Sequence, residues 1–241
     1  MNTGLKNEIE IVELLNNVKY GEFDIHWKQQ IKMVFPFVMD EDIIKCYKIK
    51  DKVKADIIIQ IREKRVNASI KSGNDISVHS ERLDTFIDFL KEIHISERTI
   101  KILKFYHYGD LTINGTGTKT IPLEELKIKY KKMFYEANVE INRGNILKKI
   151  FERFLFVGND NACFVDYMYY GNSLFGFFIE RKKIMKYLLE NFSMHLVGIH
   201  FGNLSFQPAS RQIGNPKRKY IQIKWHSFLS DFQKIIKKTN N

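Results

Sequence analysis

The chain has 241 residues, enough for one large domain or two small ones, and its 44% hydrophobic content supports a buried core. Its 39 Lys and Arg against 28 Asp and Glu give a formal net charge of +11, which points to a polyanionic partner, nucleic acid above all. A Lys-, Asn- and Ile-rich composition of the kind an AT-rich genome produces would raise the lysine count without any ligand. Two cysteines, Cys46 and Cys163, lie far apart without metal-type spacing, which argues against a disulfide scaffold and a zinc site and for a reducing compartment.

Met1–Glu13 is polar and reads as no signal peptide, and the most apolar stretch, Ala162–Ile179, is interrupted by Asp166, Asn172, Ser173 and two glycines. A cytoplasmic protein is expected. Leu5, Ile9, Val12 and Leu15 recur at helical spacing and predict a helix over residues 4–19. A second helix is expected over 25–34, ending before Pro36, and a short one near 41–47. Residues 55–62 and 66–71 alternate with period two and read as strands. Ser80 is a candidate N-cap for a helix over 81–93, and Ser96 for one over 97–108. Pro122, Glu124 and Glu125 open a Lys-rich helix running to Asn138, and a further helix covers 142–156. A strand over 163–169, a helix over 180–191 and strands at 196–200, 203–207 and 219–224 follow, with a final helix after His226. This mixture predicts an α/β fold with a mixed central β-sheet flanked by helices, in a single domain: a core over about 1–110, a helical middle over about 120–160 and C-terminal strands over about 195–230.

On the first strand Asp56, Ile58 and Gln60 face one way and Ile57, Ile59 and Ile61 the other; on the second, Asn67, Ser69 and Lys71 share a face. A hairpin with an even-numbered loop would bring the polar faces together. A two-residue loop at Glu63–Lys64 would set Asp56 opposite Lys71, and a four-residue loop would set it on the diagonal. A carboxylate beside an ammonium group suits phosphodiester hydrolysis. The acid holds a hard divalent cation through oxygen, and the lysine orients water or neutralises charge on the phosphate. The same pair also fits a surface salt bridge. Glu8 falls on the apolar stripe of the first helix, where a glutamate is costly unless a site needs it, whereas Glu10 and Glu13 lie off that stripe.

The strings GLKNEIEIVELL (Gly4–Leu15), KADIIIQI (Lys54–Ile61), NASIKSG (Asn67–Gly73), SVHSERLDTF (Ser77–Phe86) and the stretch Gly202–Leu229 resemble, in that order, type II restriction endonucleases of the PD-(D/E)xK superfamily. The small four-base cutters of the MspI and HinP type are the nearest in pattern. The resemblance implies a restriction-endonuclease-like core and a Mg2+-dependent, site-specific cleavage of double-stranded DNA at a short palindrome, such as a four-base GC-type site, leaving 5′-phosphates. It implies a cognate DNA methyltransferase in the same system; a monomer and a homodimer are both compatible with the sequence. Carried over, Asp56 is the metal-binding aspartate, Lys71 the catalytic lysine, Glu8 the first-helix glutamate and the Ile70 carbonyl a metal ligand. Ser69 stands where the pattern has its second acid or an amide, and Glu81 or His79 would complete the coordination. A degenerate, non-catalytic nuclease fold and a structure-selective repair nuclease remain open.

Asn191–Ser230 contains no acidic residue, a run of forty in a chain with 28 acids. Such a segment approaches phosphates without local repulsion. Gln207, Arg211, Gln212 and Asn215 are candidate readers of base edges, and Lys217, Arg218 and Lys219 candidate phosphate contacts, with His79 beside them. Gln222-x-Lys224 mimics half of a nuclease motif but has no strand aspartate before it, and reads as sheet structure. The aromatic residues between Phe164 and Phe178 read as core.

Overall fold

The computed structural model describes residues 3–50, 53–73, 76–159 and 163–239. In chain order the elements are α1 (Thr3–Leu15), β1 (Val18–Lys19), α2 (Ile25–Val34), β2 (Ile43–Lys48), β3 (Ile57–Ile61), β4 (Lys64–Lys71) and β5 (Ile76–Arg82). Then come α3 (Leu83–Glu92), α4 (Glu97–Tyr108), α5 (Leu123–Lys129), α6 (Lys131–Ile141), α7 (Gly144–Phe151) and a π-helical turn, Glu152–Val157. The chain closes with β6 (Tyr167–Gly171), β7 (Gly176–Glu180), α8 (Arg181–Glu190), β8 (His200–Phe201), β9 (Leu204–Pro208), β10 (Tyr220–Trp225) and α9 (Phe228–Thr239).

These elements divide into two compact units. One comprises Met1–Asn74, Leu155–Ile184 and Leu229–Asn241, the other Asp75–Phe154 and Met185–Phe228.

The first unit is built on a six-stranded sheet of order β1-β2-β3-β4-β6-β7. Its β4–β6 pair is parallel and the others are antiparallel, so the mixed α/β sheet expected from the sequence is the one observed. A parallel pair needs a long crossover. Here the chain between β4 and β6 traverses residues 75–154 of the second unit. The alternation in β3 places Ile57, Ile59 and Ile61 in the core with Ile11, Leu15, Trp27, Ile44 and Tyr169, while Ile58 and Gln60 stay half-buried on the other face. Helix α2 begins where Asp24 accepts a hydrogen bond from Trp27 N at 2.8 Å, the cap that its residue type predicts.

The second unit carries an antiparallel sheet of order β5-β10-β9-β8, backed by an aromatic core that includes Phe86, Phe154, Phe201 and Phe206. Helix α4 is bounded as its sequence predicts, by the Ser96 cap and by Gly109 in the left-handed region at φ 61°.

Several expected elements differ. Residues 43–48 form strand β2 and not a helix, because Ile44 and Cys46 alternate into the core and pair with β3, a tertiary gain that overrides local pattern. Glu81 and Arg82 finish strand β5, so the helix starts at Leu83 and Ser80 caps nothing; its hydroxyl donates across the ladder to Ile221 O. The Lys-rich helix breaks at Tyr130, and the strands at 163–169 and 196–200 shorten to Tyr167–Gly171 and His200–Phe201. Ala162 lies outside the described residues. Of the aromatic run, Tyr169 and Phe178 are core, whereas Phe164 and Phe175 are exposed.

Candidate active site and nucleic-acid face

The β3–β4 hairpin turns through two residues, Arg62 and Glu63, with Ile61 paired to Lys64 and Ile57 to Ala68. Arg62 takes a left-handed φ of 52° and is tied to Asp42 by two hydrogen bonds of 2.7 and 2.9 Å. The loop is even, as the shared polar face requires, but it lies one residue earlier than Glu63–Lys64. Continuing the ladder therefore sets Asp56 across from Ser69, with Lys71 on the diagonal.

Asp56 Oδ2 gathers the site. It accepts from Ile70 N at 2.7 Å and from Ser69 Oγ at 2.9 Å, and Lys71 Nζ lies 3.4 Å away. The Lys71 ammonium also donates to Ser69 Oγ at 2.6 Å and to Ile70 O at 3.0 Å. One cation thus occupies a cradle of three oxygens. Ser69 is fully buried, and the Asp56 and Lys71 side chains keep 24% and 18% exposure, so the site is sheltered but open to solvent.

Glu8 flanks this end of the sheet. Helix α1 turns Asn7, Ile11 and Leu15 inward, which leaves Glu8 at the edge of the buried stripe with a side chain 19% exposed. Its Oε2 is held by Lys48 Nζ, at the end of β2 beside Ile57. Asn7 donates through Nδ2 to Gly171 O at 2.8 Å, one residue beyond the β6 neighbour of Lys71. Lys48 is not among the residues expected at the site, because a helix is expected near 41–47; the period-two pattern of 43–48 is the signal that points to it.

Among the described residues no three His, Cys, Asp or Glu side chains converge as a metal site. The donors at hand are hard oxygens: the Asp56 carboxylate, the Ile70 carbonyl and the Ser69 hydroxyl, with Glu8 held by Lys48 at the same end of the sheet. This set fits Mg2+, which takes one or two carboxylates and keeps several waters.

Glu81 and His79 lie in the second unit, on β5, and are bonded to each other. The Glu81 side chain is fully buried and accepts from Arg153 at 2.6 and 3.1 Å, with His79 Nε2 at 2.9 Å from the same carboxylate. Burial raises its pKa, but the hydrogen bonds from His79 and Arg153 outweigh that and hold the carboxyl below the usual glutamate range. Arg153 in turn stacks on Phe89 at 4.5 Å. These contacts give both Glu81 oxygens hydrogen-bond partners within the second unit.

The acid-free segment separates into internal and external members. Arg218, expected on the DNA-contacting face, is buried: it pairs with Asp110 at 2.7 Å, donates to Gly115 O at 2.8 Å and lies over Tyr108 at 5.2 Å. Arg211 is half-buried, donates to Tyr106 O at 2.6 Å and lies over the Tyr106 ring. Asn215 accepts from Lys217 N as the cap of the 3-10 turn Pro216–Lys219. Gln212, Lys217 and Lys219 are exposed.

The outer face of the four-stranded sheet adds residues beyond those expected from the sequence. Tyr220 pairs with Arg82, and Gln222 lies between Ser80 and Gln207 in neighbouring strands. Gln222 donates to Ser77 Oγ at 3.1 Å, and Gln207 reaches Ser205 and His226 at 3.4 Å. The alternation of Tyr220, Gln222 and Lys224 against buried Ile221, Ile223 and Trp225 is the signal for this polar face. Gln222-x-Lys224 is sheet structure, as expected, and also presents its side chains outward.

No family model matches the chain, and no curated protein sequence matches it. Among solved structures the chain is similar to the restriction endonuclease MspI in complex with its cognate DNA, at 14% identity and a TM-score of 0.48, over 82% of this chain and 76% of that one.

Proposed function

We propose that the chain is a Mg2+-dependent endonuclease that hydrolyses double-stranded DNA at a short palindrome and leaves 5′-phosphates, working in the cytoplasm as the cutting partner of a DNA methyltransferase. The observation that carries this reading is the Asp56–Ser69–Ile70–Lys71 arrangement, which puts a carboxylate, a hydroxyl, a carbonyl and an ammonium group within hydrogen-bond reach at one open strand end. Asp56 and the Ile70 carbonyl would hold the metal, which when bound polarises the phosphate and lowers the pKa of a coordinated water. Lys71 swings from its cradle to orient the attacking water and to neutralise charge growing on the phosphate. Ser69 fixes the Asp56 carboxylate and receives Lys71 when no phosphate is bound. Exposed Lys217 and Lys219 supply phosphate contacts, and Gln207, Gln212 and Gln222 carry side chains suited to base edges.

Digestion of plasmid DNA with Mg2+ and mapping of the ends tests this. Discrete fragments are expected from the wild type and none from Asp56→Ala or Lys71→Ala, with binding retained in both. Cleavage by both variants would sink the assignment.

One observation favours a second reading. The ammonium of Lys71 fills the cradle and Ser69 replaces an acid, as in a DNA-binding protein on a degenerate nuclease fold. Tight binding without cleavage in Mg2+ or Mn2+ would select it, and cleavage confined to branched junctions would select a repair nuclease.

A further inference from the structure

The loop from Asn172 to Phe175, between β6 and β7, is braced from several sides and buries neither of its apolar side chains. Asn172 Oδ1 accepts from Leu174 N at 2.9 Å and from Phe175 N at 3.0 Å. Tyr169 Oη donates to Asn172 O at 2.7 Å, and Trp27 Nε1 to Ser173 O at 3.0 Å. His26 stacks on the Phe175 ring at 4.5 Å and accepts from Gly176 N at 3.2 Å. Gly171, at φ 144°, has no room for a Cβ against Phe175 and Gly176, so the turn admits only glycine there. Yet Leu174 is 83% exposed and Phe175 58% exposed. Ordering this backbone costs conformational entropy, and the contacts that offset it hold two apolar side chains in water. Preorganised apolar groups of this kind are what a binding wedge requires.

Position narrows the partner. Strand β6 runs parallel to β4, and Tyr170 is the neighbour of Lys71. The loop begins two residues later on the same end of the sheet and reverses between Gly171 and Gly176, so Leu174 at its tip stands roughly 10 Å beyond the level of the candidate catalytic lysine, about three strand rises of 3.3 Å. Duplex DNA rises about 3.4 Å per base pair, which places this distance at about three base steps. Apolar side chains that enter the minor groove unstack a base step and kink the duplex.

We propose that Leu174, flanked by Phe175, is a wedge that unstacks a base step of duplex DNA within about three base pairs of the phosphate held at Asp56 and Lys71. This rests on the nuclease reading above. The kink it creates lets the duplex settle on the sheet end, so the wedge contributes to binding and to cleavage without touching the reacting atoms.

The test uses the full chain and a duplex containing the mapped cleavage site, with 2-aminopurine at successive positions around the cut. In the Asp56→Ala background, which binds without cutting, fluorescence should rise several-fold at one base step, and Leu174→Ala should abolish that rise while Leu174→Phe preserves it. With Asp56 restored, Leu174→Ala should cut intact duplex about 10-fold more slowly, and an abasic site at the probe position should remove that defect. If the wild type cuts no duplex, the nuclease reading itself fails. If it cuts but no position brightens, or Leu174→Ala matches the wild type, the wedge alone is overturned. The wedge is likewise overturned if the slower cutting of Leu174→Ala tracks a lost dimer in sedimentation, because the loop would then be an interface between copies.

Discussion

The hydroxyl of Ser69 donates to Asp56 Oδ2 over 2.9 Å and accepts from the Lys71 ammonium over 2.6 Å, so a buried serine links the acid and the base of the candidate site. A second carboxylate here would sit against Asp56 in a sheltered environment, and the serine avoids that repulsion while still tying the two charged groups together.

Ser69→Ala should cost about 1.5–3 kcal/mol, since it removes a hydrogen bond to a charged group and leaves a half-buried pair less satisfied. Ser69→Asp should destabilise the metal-free protein and regain stability as Mg2+ is added, because the ion binds the folded state alone. Thermal melts with and without Mg2+ read both effects, and a Ser69→Asp melt indifferent to the ion would contradict the assigned site.

Lys48 holds the Glu8 carboxylate in competition with any cation. Lys48→Met should therefore enlarge the Mg2+-induced rise in Tm, and Glu8→Gln should shrink it. Equal metal responses in both variants would remove Glu8 from the site.

Arg218 and its basic neighbours should separate cleanly. Arg218→Met leaves the fully buried Asp110 carboxylate without its cation and should cost about 3–5 kcal/mol. Lys217→Ala and Lys219→Ala should leave Tm unchanged and each reduce the salt slope of DNA binding by about one. Urea melts and binding isotherms across a salt series distinguish the two behaviours.

Acidification should loosen the second unit before its carboxylates titrate. Burial pushes the rings of His107 and His200 down to about 4, from 6.5 in an open chain. The unfolded chain then binds more protons than the folded one below pH 6.5. The stabilising contribution is complete above that value and is lost as the pH falls towards 4. For His107 the loss is up to about 1.4 kcal/mol per pH unit. His107→Phe should flatten the decline measured by urea melts between pH 6.5 and 4.5, and an unchanged slope would refute the assignment.

The polar face of the candidate site was legible because strand periodicity is local. Asp56, Ser69 and Lys71 are placed on one side by the pleat alone, and the two cysteines, the Ser96 cap and the acid-free segment are equally plain. The hairpin register was not, since a loop shifted by one residue changes the partner of Asp56 from Lys71 to Ser69. Strand β2 reads as a helix from the sequence, because the period-two pattern of IIKCYK is short and is given its weight only by pairing with β3.

What the sequence alone determined was therefore the fold class, the shared face of the three central side chains and the basic bias of the C-terminal segment. Tertiary structure alone decided which charges are committed. Glu8 meets Lys48 across 40 residues, Glu81 meets Arg153 across 72 and Asp110 meets Arg218 across 108. Partners so distant are chosen by packing and desolvation, which act only once the chain has closed and which leave no periodic trace in the sequence.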